Sequence, residues 1–103
     1  MKVLIMITTE SSKTNALRLA RLLVKNKLAA CVSIKEIFSI YEWDNDIEEN
    51  KEFEITIKSK PELKKTLMDC LQKMTSYDIP QIIYKKFNSE KKYINWVYKS
   101  ISN

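Results

Sequence analysis

Residues 34–58 read Ile34-Lys-Glu-Ile-Phe-Ser-Ile-Tyr-Glu-Trp-Asp-Asn-Asp-Ile-Glu-Glu-Asn-Lys-Glu-Phe-Glu-Ile-Thr-Ile-Lys58, and this stretch decides the fold. From Glu52 to Lys58 alternation is strict: Phe53, Ile55 and Ile57 take one side, Glu52, Glu54, Thr56 and Lys58 the other. That is the pattern of a half-buried strand. On the preceding arm, which the pattern opens at Ala29, Ile34, Phe38 and Ile40 share one parity, broken by Glu36, while Ile37, Tyr41 and Trp43 share the other. Asp44-Asn45-Asp46 between them is a turn signal, so the two arms form a hairpin. Each arm reaches about a dozen residues, against ~5–6 for an ordinary strand. At ~3.4 Å per residue the arms outrun any small helical layer. An overhanging hairpin exposes apolar surface and strand edge, which proteins usually cover with a partner.

The flanks complete the order. Val3 to Ile7 is a continuous apolar run, the mark of a central strand covered on both faces, and Met1–Thr8 is read as that strand. Ser11 or Ser12 can cap a helix whose Ala16, Leu19, Ala20 and Leu23 recur at helical spacing. Lys25 suits its C-terminal end and Asn26 closes it. Ser59 and Glu62 have capping-box spacing, with Pro61 in the first turn. Leu63, Leu67, Cys70, Leu71 and Met74 then share a face, with Met68 beside them. A loop over Thr75–Pro80 leads to a strand over Gln81–Phe87. Asn88 or Ser89 caps a last helix, on which Tyr93, Trp96, Val97 and Ile101 share a face. The result is a single α+β domain over residues 1–103 with the ferredoxin-like order β-α-β-β-α-β, a long hairpin and an added C-terminal helix.

Composition narrows the chemistry. The chain has 103 residues, 45% hydrophobic and 30% charged, enough for one core. It has no glycine and no histidine. Without glycine there is no P-loop, dinucleotide fingerprint or nucleophile elbow. Without histidine the commonest general base and metal ligand are gone. The residues therefore point away from an enzyme. Left-handed turn positions fall to Asn and Asp, with Asn26, Asn45, Asn50 and Asn88 the candidates.

The net charge of +5 comes from 18 Lys and Arg against 13 Asp and Glu, but only Arg18 and Arg21 are arginines. Scattered lysines, and a third strand offering Phe53 between Glu52 and Glu54, make a solvated surface rather than a nucleic-acid face. Thr8-Thr9-Glu10-Ser11 after the first strand lacks the arginine-bearing anion loop of acylphosphatases. The N-terminal apolar run is too short for a membrane span or a signal segment. With two well-separated cysteines, Cys31 and Cys70, the expected location is cytoplasmic, with both thiols free.

Five segments, in order, resemble the CutA family of divalent-cation tolerance proteins. They are Leu28-Ala29-Ala30-Cys31-Val32, Tyr41-Glu42-Trp43 with Ile47-Glu48, Ile57-Lys58-Ser59, Tyr77-Asp78-Ile79-Pro80, and Tyr93-Ile94-Asn95-Trp96. The resemblance implies a homotrimer like the PII signalling trimers, with hairpins wrapped around neighbours. It also implies a non-enzymatic role in tolerance of copper and other divalent ions. The family's hairpin glycine is replaced by Asn45, its His-Pro before Tyr77 by Thr75-Ser76, and its Glu after Pro80 by Gln81.

Candidate sites follow. Cys31 is the candidate metal ligand, since a soft thiolate suits copper; as a small residue on a strand it fits plain packing more readily still. Cys70 reads as core. Asp44, Asp46, Glu48 and Glu49 read as a turn cluster rather than a hard-cation site. Tyr41, Trp43, Tyr77, Pro80 and Trp96 are the candidate interface set, aromatics being frequent anchors between subunits. A PII-like trimer sensing a small molecule in clefts between subunits, with Tyr77 in the lining, is the alternative function.

Overall fold

The computed structural model describes residues 1–102; Asn103, the last residue of the expected domain, lies outside the described residues. The first strand, β1, runs Val3–Glu10. It is followed by α1 (Lys13–Lys25), β2 (Cys31–Trp43) and β3 (Asp46–Ser59). After a 3-10 turn at Pro61–Leu63 come α2 (Lys64–Met74), β4 (Ile83–Phe87) and α3 (Lys91–Ser100). One antiparallel sheet has the order β2-β3-β1-β4. This is the ferredoxin-like arrangement that the element order implies.

Period-2 alternation along β1 serves two cores. Leu4 and Met6 point to the side where α1 and α2 pack, meeting Leu19, Leu23, Ile55, Ile57, Leu67 and Leu71, all buried. Val3 points the other way and is buried by Ile94 and Val97 of α3, with Ile5 and Tyr98 beside them. β1 is thus the strand covered on both sides, as its unbroken apolar run requires.

Ser12 caps α1 by accepting from the Asn15 N–H at 3.1 Å. The helix buries Ala16, Leu19, Ala20 and Leu23, the four residues its periodicity selects. Its exit differs from expectation. Asn26 keeps an ordinary φ of −90°, and Lys27 takes the left-handed position at φ 62°. The Leu28 N–H reaches the Leu23 carbonyl at 2.9 Å and the Lys27 N–H the Val24 carbonyl at 3.2 Å. That pair of bonds is a Schellman motif, closed here by a residue with a Cβ. Asn50 and Asn88 are not left-handed either; among the described residues the remaining positive-φ residues are Asp44 and Asn45.

β2 and β3 pair from Cys31↔Lys58 to Trp43↔Asp46. Asp44 and Asn45, at φ 51° and 68°, form the two-residue connection. Two consecutive positive φ values define a type I′ turn, whose twist matches the strands it joins. The helical layer covers only the base of this hairpin: Ile55 and Ile57 are fully buried, while Phe38, Ile40 and Ile47 are 74%, 68% and 68% exposed. About seven residues of each arm, roughly 24 Å, extend past the helices, and the molecule measures 46 × 24 × 22 Å.

Three local expectations need correction. Ser59 does not cap α2: it stays in β3, fully buried, and its hydroxyl donates to the Leu28 carbonyl at 2.7 Å. A long-range acceptor has claimed the side chain that the capping box needs. The cap of α3 is Glu90, accepting from the Tyr93 N–H at 3.1 Å, rather than Asn88 or Ser89. On α3 the buried face is Ile94, Val97 and Ile101, while Tyr93 and Trp96 turn outward and stack with centroids 5.7 Å apart. The helix is apolar on two sides, and contact with Val3 selects one.

Lys27→Gly should raise stability by about 1 kcal/mol, since a left-handed residue with a Cβ costs about 1–2 kcal/mol and glycine's extra unfolded entropy returns only part of that. Urea unfolding measures it; a lower midpoint would contradict the strain assigned to Lys27.

Candidate functional site

The sheet face away from α1 and α2 is set by register. Antiparallel partners project to the same side, so Tyr41 and Glu48, Ile37 and Glu52, and Trp43 and Asp46 all share it. Thr9 near the end of β1 lies on this face too. Here the hairpin's inner surface meets the Thr75–Gln81 loop in a cleft of about 490 Å³. Tyr41, Trp43, Tyr77, Glu48, Glu52 and Asp78 supply most of its chemistry, with Thr9, Ser76, Ile79 and Gln81 completing the lining.

Two carboxylates fix the loop to the sheet. The Tyr77 hydroxyl donates to Glu52 Oε2 at 2.6 Å. Behind it, the buried Glu10 carboxylate accepts from the Ser76 N–H at 3.2 Å and the Ser76 hydroxyl at 2.9 Å. Charge-assisted bonds of this kind are stronger than neutral ones. The Tyr77 N–H closes a local turn onto Thr75 Oγ1 at 3.0 Å. Burial, then the hydrogen bond to Glu52 and the charges of Glu52 and Glu10, push the Tyr77 phenol well above its ordinary value of 10. Tyr41 is steadied separately, its hydroxyl accepting from Asn50 Nδ2 at 2.9 Å.

Of the residues singled out from sequence, Tyr41, Trp43 and Tyr77 meet in this cleft. Pro80 is half-buried in the same loop but does not line it. Trp96 sits on α3 with Tyr93, away from the cleft. Glu48, Glu52, Ser76 and Asp78 line the cleft but were missed as site members, Glu48 having been read as part of the turn, and Glu10 behind the loop was missed with them. Glu52 was legible as a strand's polar face, and its partner Tyr77 lies 25 residues away.

Cys31 is half-buried on the open face, opposite Lys58. Cys70 is half-buried on α2, its thiol 3.8 Å from Met74 Sδ, and burial pushes that thiol up against the opposing pull of Lys73. Among the described residues no three His, Cys, Asp or Glu side chains converge to hold a metal ion. A single thiol without further converging ligands does not make a resident metal centre, so one chain's described residues do not fit one. Asp44 and Asp46 are exposed at the hairpin tip, as turn residues are.

Together the fold and cleft define a ferredoxin-like α+β module with an overhanging hairpin. The chain belongs to the CutA family: residues 3–100 match the model of the CutA1 divalent ion tolerance protein. It is 31% identical over 100 residues to the divalent-cation tolerance protein CutA of Thermotoga maritima, covering 96% of this chain and 99% of that protein. The CutA1 crystal structure from Ehrlichia chaffeensis superimposes with a TM-score of 0.94 at 32% identity, covering 100% of this chain and 99% of that one. A structure from Archaeoglobus fulgidus, described as a periplasmic divalent cation tolerance protein, gives 0.92 at 30% identity, covering 97% and 99%.

These relatives overturn the cytoplasmic expectation. Besides the periplasmic protein of Archaeoglobus, a chloroplastic CutA of Arabidopsis thaliana is 29% identical over 102 residues, covering 97% of this chain and 56% of that protein. Free cysteines and a short apolar first strand belong to the domain itself. A domain shared across compartments carries no address in those features.

Tyr77→Phe tests the loop's attachment. It should lower stability by about 1 kcal/mol through the lost hydrogen bond. A raised folded value means the phenol's contribution is whole below pH 10 and is lost as pH climbs above it. The variant should therefore show a shallower alkaline loss of stability; an unchanged alkaline slope would remove Tyr77 from that role.

Proposed function

We propose that this protein assembles as a homotrimer and contributes, without catalysing a reaction, to tolerance of divalent cations, copper among them. The observation that carries the reading is the overhanging hairpin, whose Phe38, Ile40 and Ile47 lie uncovered beside an unpaired β2 edge. Apolar side chains on a strand edge call for a partner, and a hairpin this long can wrap a neighbouring copy. The names of its relatives supply the link to divalent ions. The partner is the chain itself, with neither nucleic acid nor membrane involved. Cys31 acts in ion handling only through assembly, because one chain places one thiol there.

The cleft favours a second reading, a PII-like trimer that senses a small molecule between subunits. Its volume of about 490 Å³ suits a small organic ligand, for which pockets run from about 300 to 1,000 Å³. The two readings share the assembly and differ in what it responds to.

Native mass spectrometry tests the assembly. The wild-type chain should run as a trimer, and Phe38→Lys combined with Ile40→Lys should release monomers of unchanged circular dichroism. A monomeric wild type at micromolar concentration would sink the reading. Titrating the trimer with Cu(I) and Zn(II), before and after Cys31→Ser, decides whether metal is held directly. Deleting the gene should raise copper sensitivity, and unchanged growth would end the tolerance role.

A further inference from the structure

The cleft reverses the charge of the molecule. The chain carries a net +5, yet no lysine or arginine lines the cleft, while Glu48, Glu52 and Asp78 do. Tyr41, Trp43 and Tyr77 supply aromatic surface in the same space. In the single chain Tyr41 and Trp43 are 39% and 45% exposed, which leaves ring surface for an occupant. Aromatic faces attract cations, and carboxylates give them a counter-charge. An anion entering here would meet like charge with no compensating donor from a basic side chain.

We propose that the cleft binds an organic ammonium ion, a primary amine or alkylammonium group paired with Glu52, its carbon chain running along the strand toward Glu48 and lying against Trp43 and Tyr41. The proposal rests on the small-molecule reading and names the ligand class. A bare divalent metal is the poorer occupant. No three ligating side chains converge in the described residues, and aromatic walls cannot replace the oxygen shell that a hard cation requires. An alkylammonium ion uses both halves of the lining.

Glu52 is prepared for this role. The Tyr77 hydroxyl holds Oε2 at 2.6 Å, which fixes the carboxylate while a carboxylate keeps further acceptor sites. Glu48 stands directly across the ladder from Tyr41, so charge and ring reach the ligand from adjacent strands. Preorganised partners reduce the ordering cost of binding. Unbranched diamines should bind more tightly than the equivalent monoamines, because Asp78 offers a further carboxylate in the same cleft.

The test uses the full-length chain carrying Trp96→Phe, which leaves Trp43 as the only indole. Trp43 fluorescence and calorimetry are followed with tetramethylammonium, 1,4-diaminobutane, ATP, 2-oxoglutarate and Zn(II). Expected are saturable binding of the two ammonium probes and weakening of about tenfold or more in Glu52→Gln and in Trp43→Leu, the scale of one lost charge-assisted contact. Each variant's oligomeric state is checked alongside. Ammonium binding indifferent to both substitutions would overturn the site. Binding of ATP or 2-oxoglutarate but no ammonium ion would overturn the ligand class and leave the sensor reading standing. Zn(II) binding in place of the ammonium probes would assign the cleft to metal. Silence from every probe would remove both the inference and the sensor reading. If that silence came with an assembly altered by Glu52→Gln, the cleft would belong to a lysine of a neighbouring copy.

Discussion

Everything distinctive about this molecule depends on the pairing of β2 with β3, closed by two left-handed residues in a chain without glycine. The type I′ turn at Asp44 and Asn45 fixes the register from Trp43↔Asp46 back to Cys31↔Lys58. Because side chains alternate, that register alone decides which face each residue takes. It puts Phe38, Ile40 and Ile47 on the helix side, beyond the reach of the helices, and gathers Tyr41, Trp43, Glu48 and Glu52 on the other. A slip of one residue would exchange the two sets and dissolve the cleft. Cross-strand ion pairs, Lys35 with Glu54 at 3.7 Å and Lys51 with Glu36 at 3.3 Å, agree with the observed register. Their exposure limits them to small contributions. The turn and the apolar base are what hold it.

Local periodicity made the framework legible. The α1 face, the alternation of Phe53, Ile55 and Ile57, and the unbroken apolar run of β1 each encode their burial in a few neighbouring letters. The errors arose where a distant partner outbid a local one. Ser59 has the spacing of a cap, yet the Leu28 carbonyl takes its hydroxyl. Val97 and Ile101 are buried as their spacing predicts, but Val3 receives Ile94 beside Val97, and Tyr93 and Trp96, with the same spacing, stay outside. Lys27 holds a left-handed angle that propensity gives to Asn, because the chain must turn directly from α1 into β2 and Asn26 is already bonded to Leu22 as the helix cap.

The site was half legible for the same reason. Tyr41, Trp43 and Tyr77 stood out as aromatics without an obvious place in a small core, and they do converge. Trp96 stood out equally and does not, since spacing along the chain says nothing about which aromatics meet. Glu52 reads as an ordinary polar-face residue of a strand. Only the register, together with the loop carrying Tyr77, turns it into the carboxylate at the centre of the cleft. Glu10 is harder still: a carboxylate ending an apolar strand looks solvated, yet the fold buries it and Ser76 satisfies it.

A chain without histidine, with its two thiols on opposite sides of the sheet, does not build a soft-metal centre alone. Under the proposed function, a link to metal tolerance would run through what several copies build together or through what the cleft takes up. Both routes pass through the same arm. The apolar side of the overhang is the surface a neighbouring copy would cover, and the opposite side carries Tyr41 and Trp43. In the proposed assembly, a ligand that ordered the arm would favour the geometry in which a neighbouring copy could clasp it. Binding and assembly would then share one coupling free energy, acting equally in both directions. The length of the hairpin is what would make such a coupling available, because an arm ending at the edge of the helical layer would have neither surface to offer.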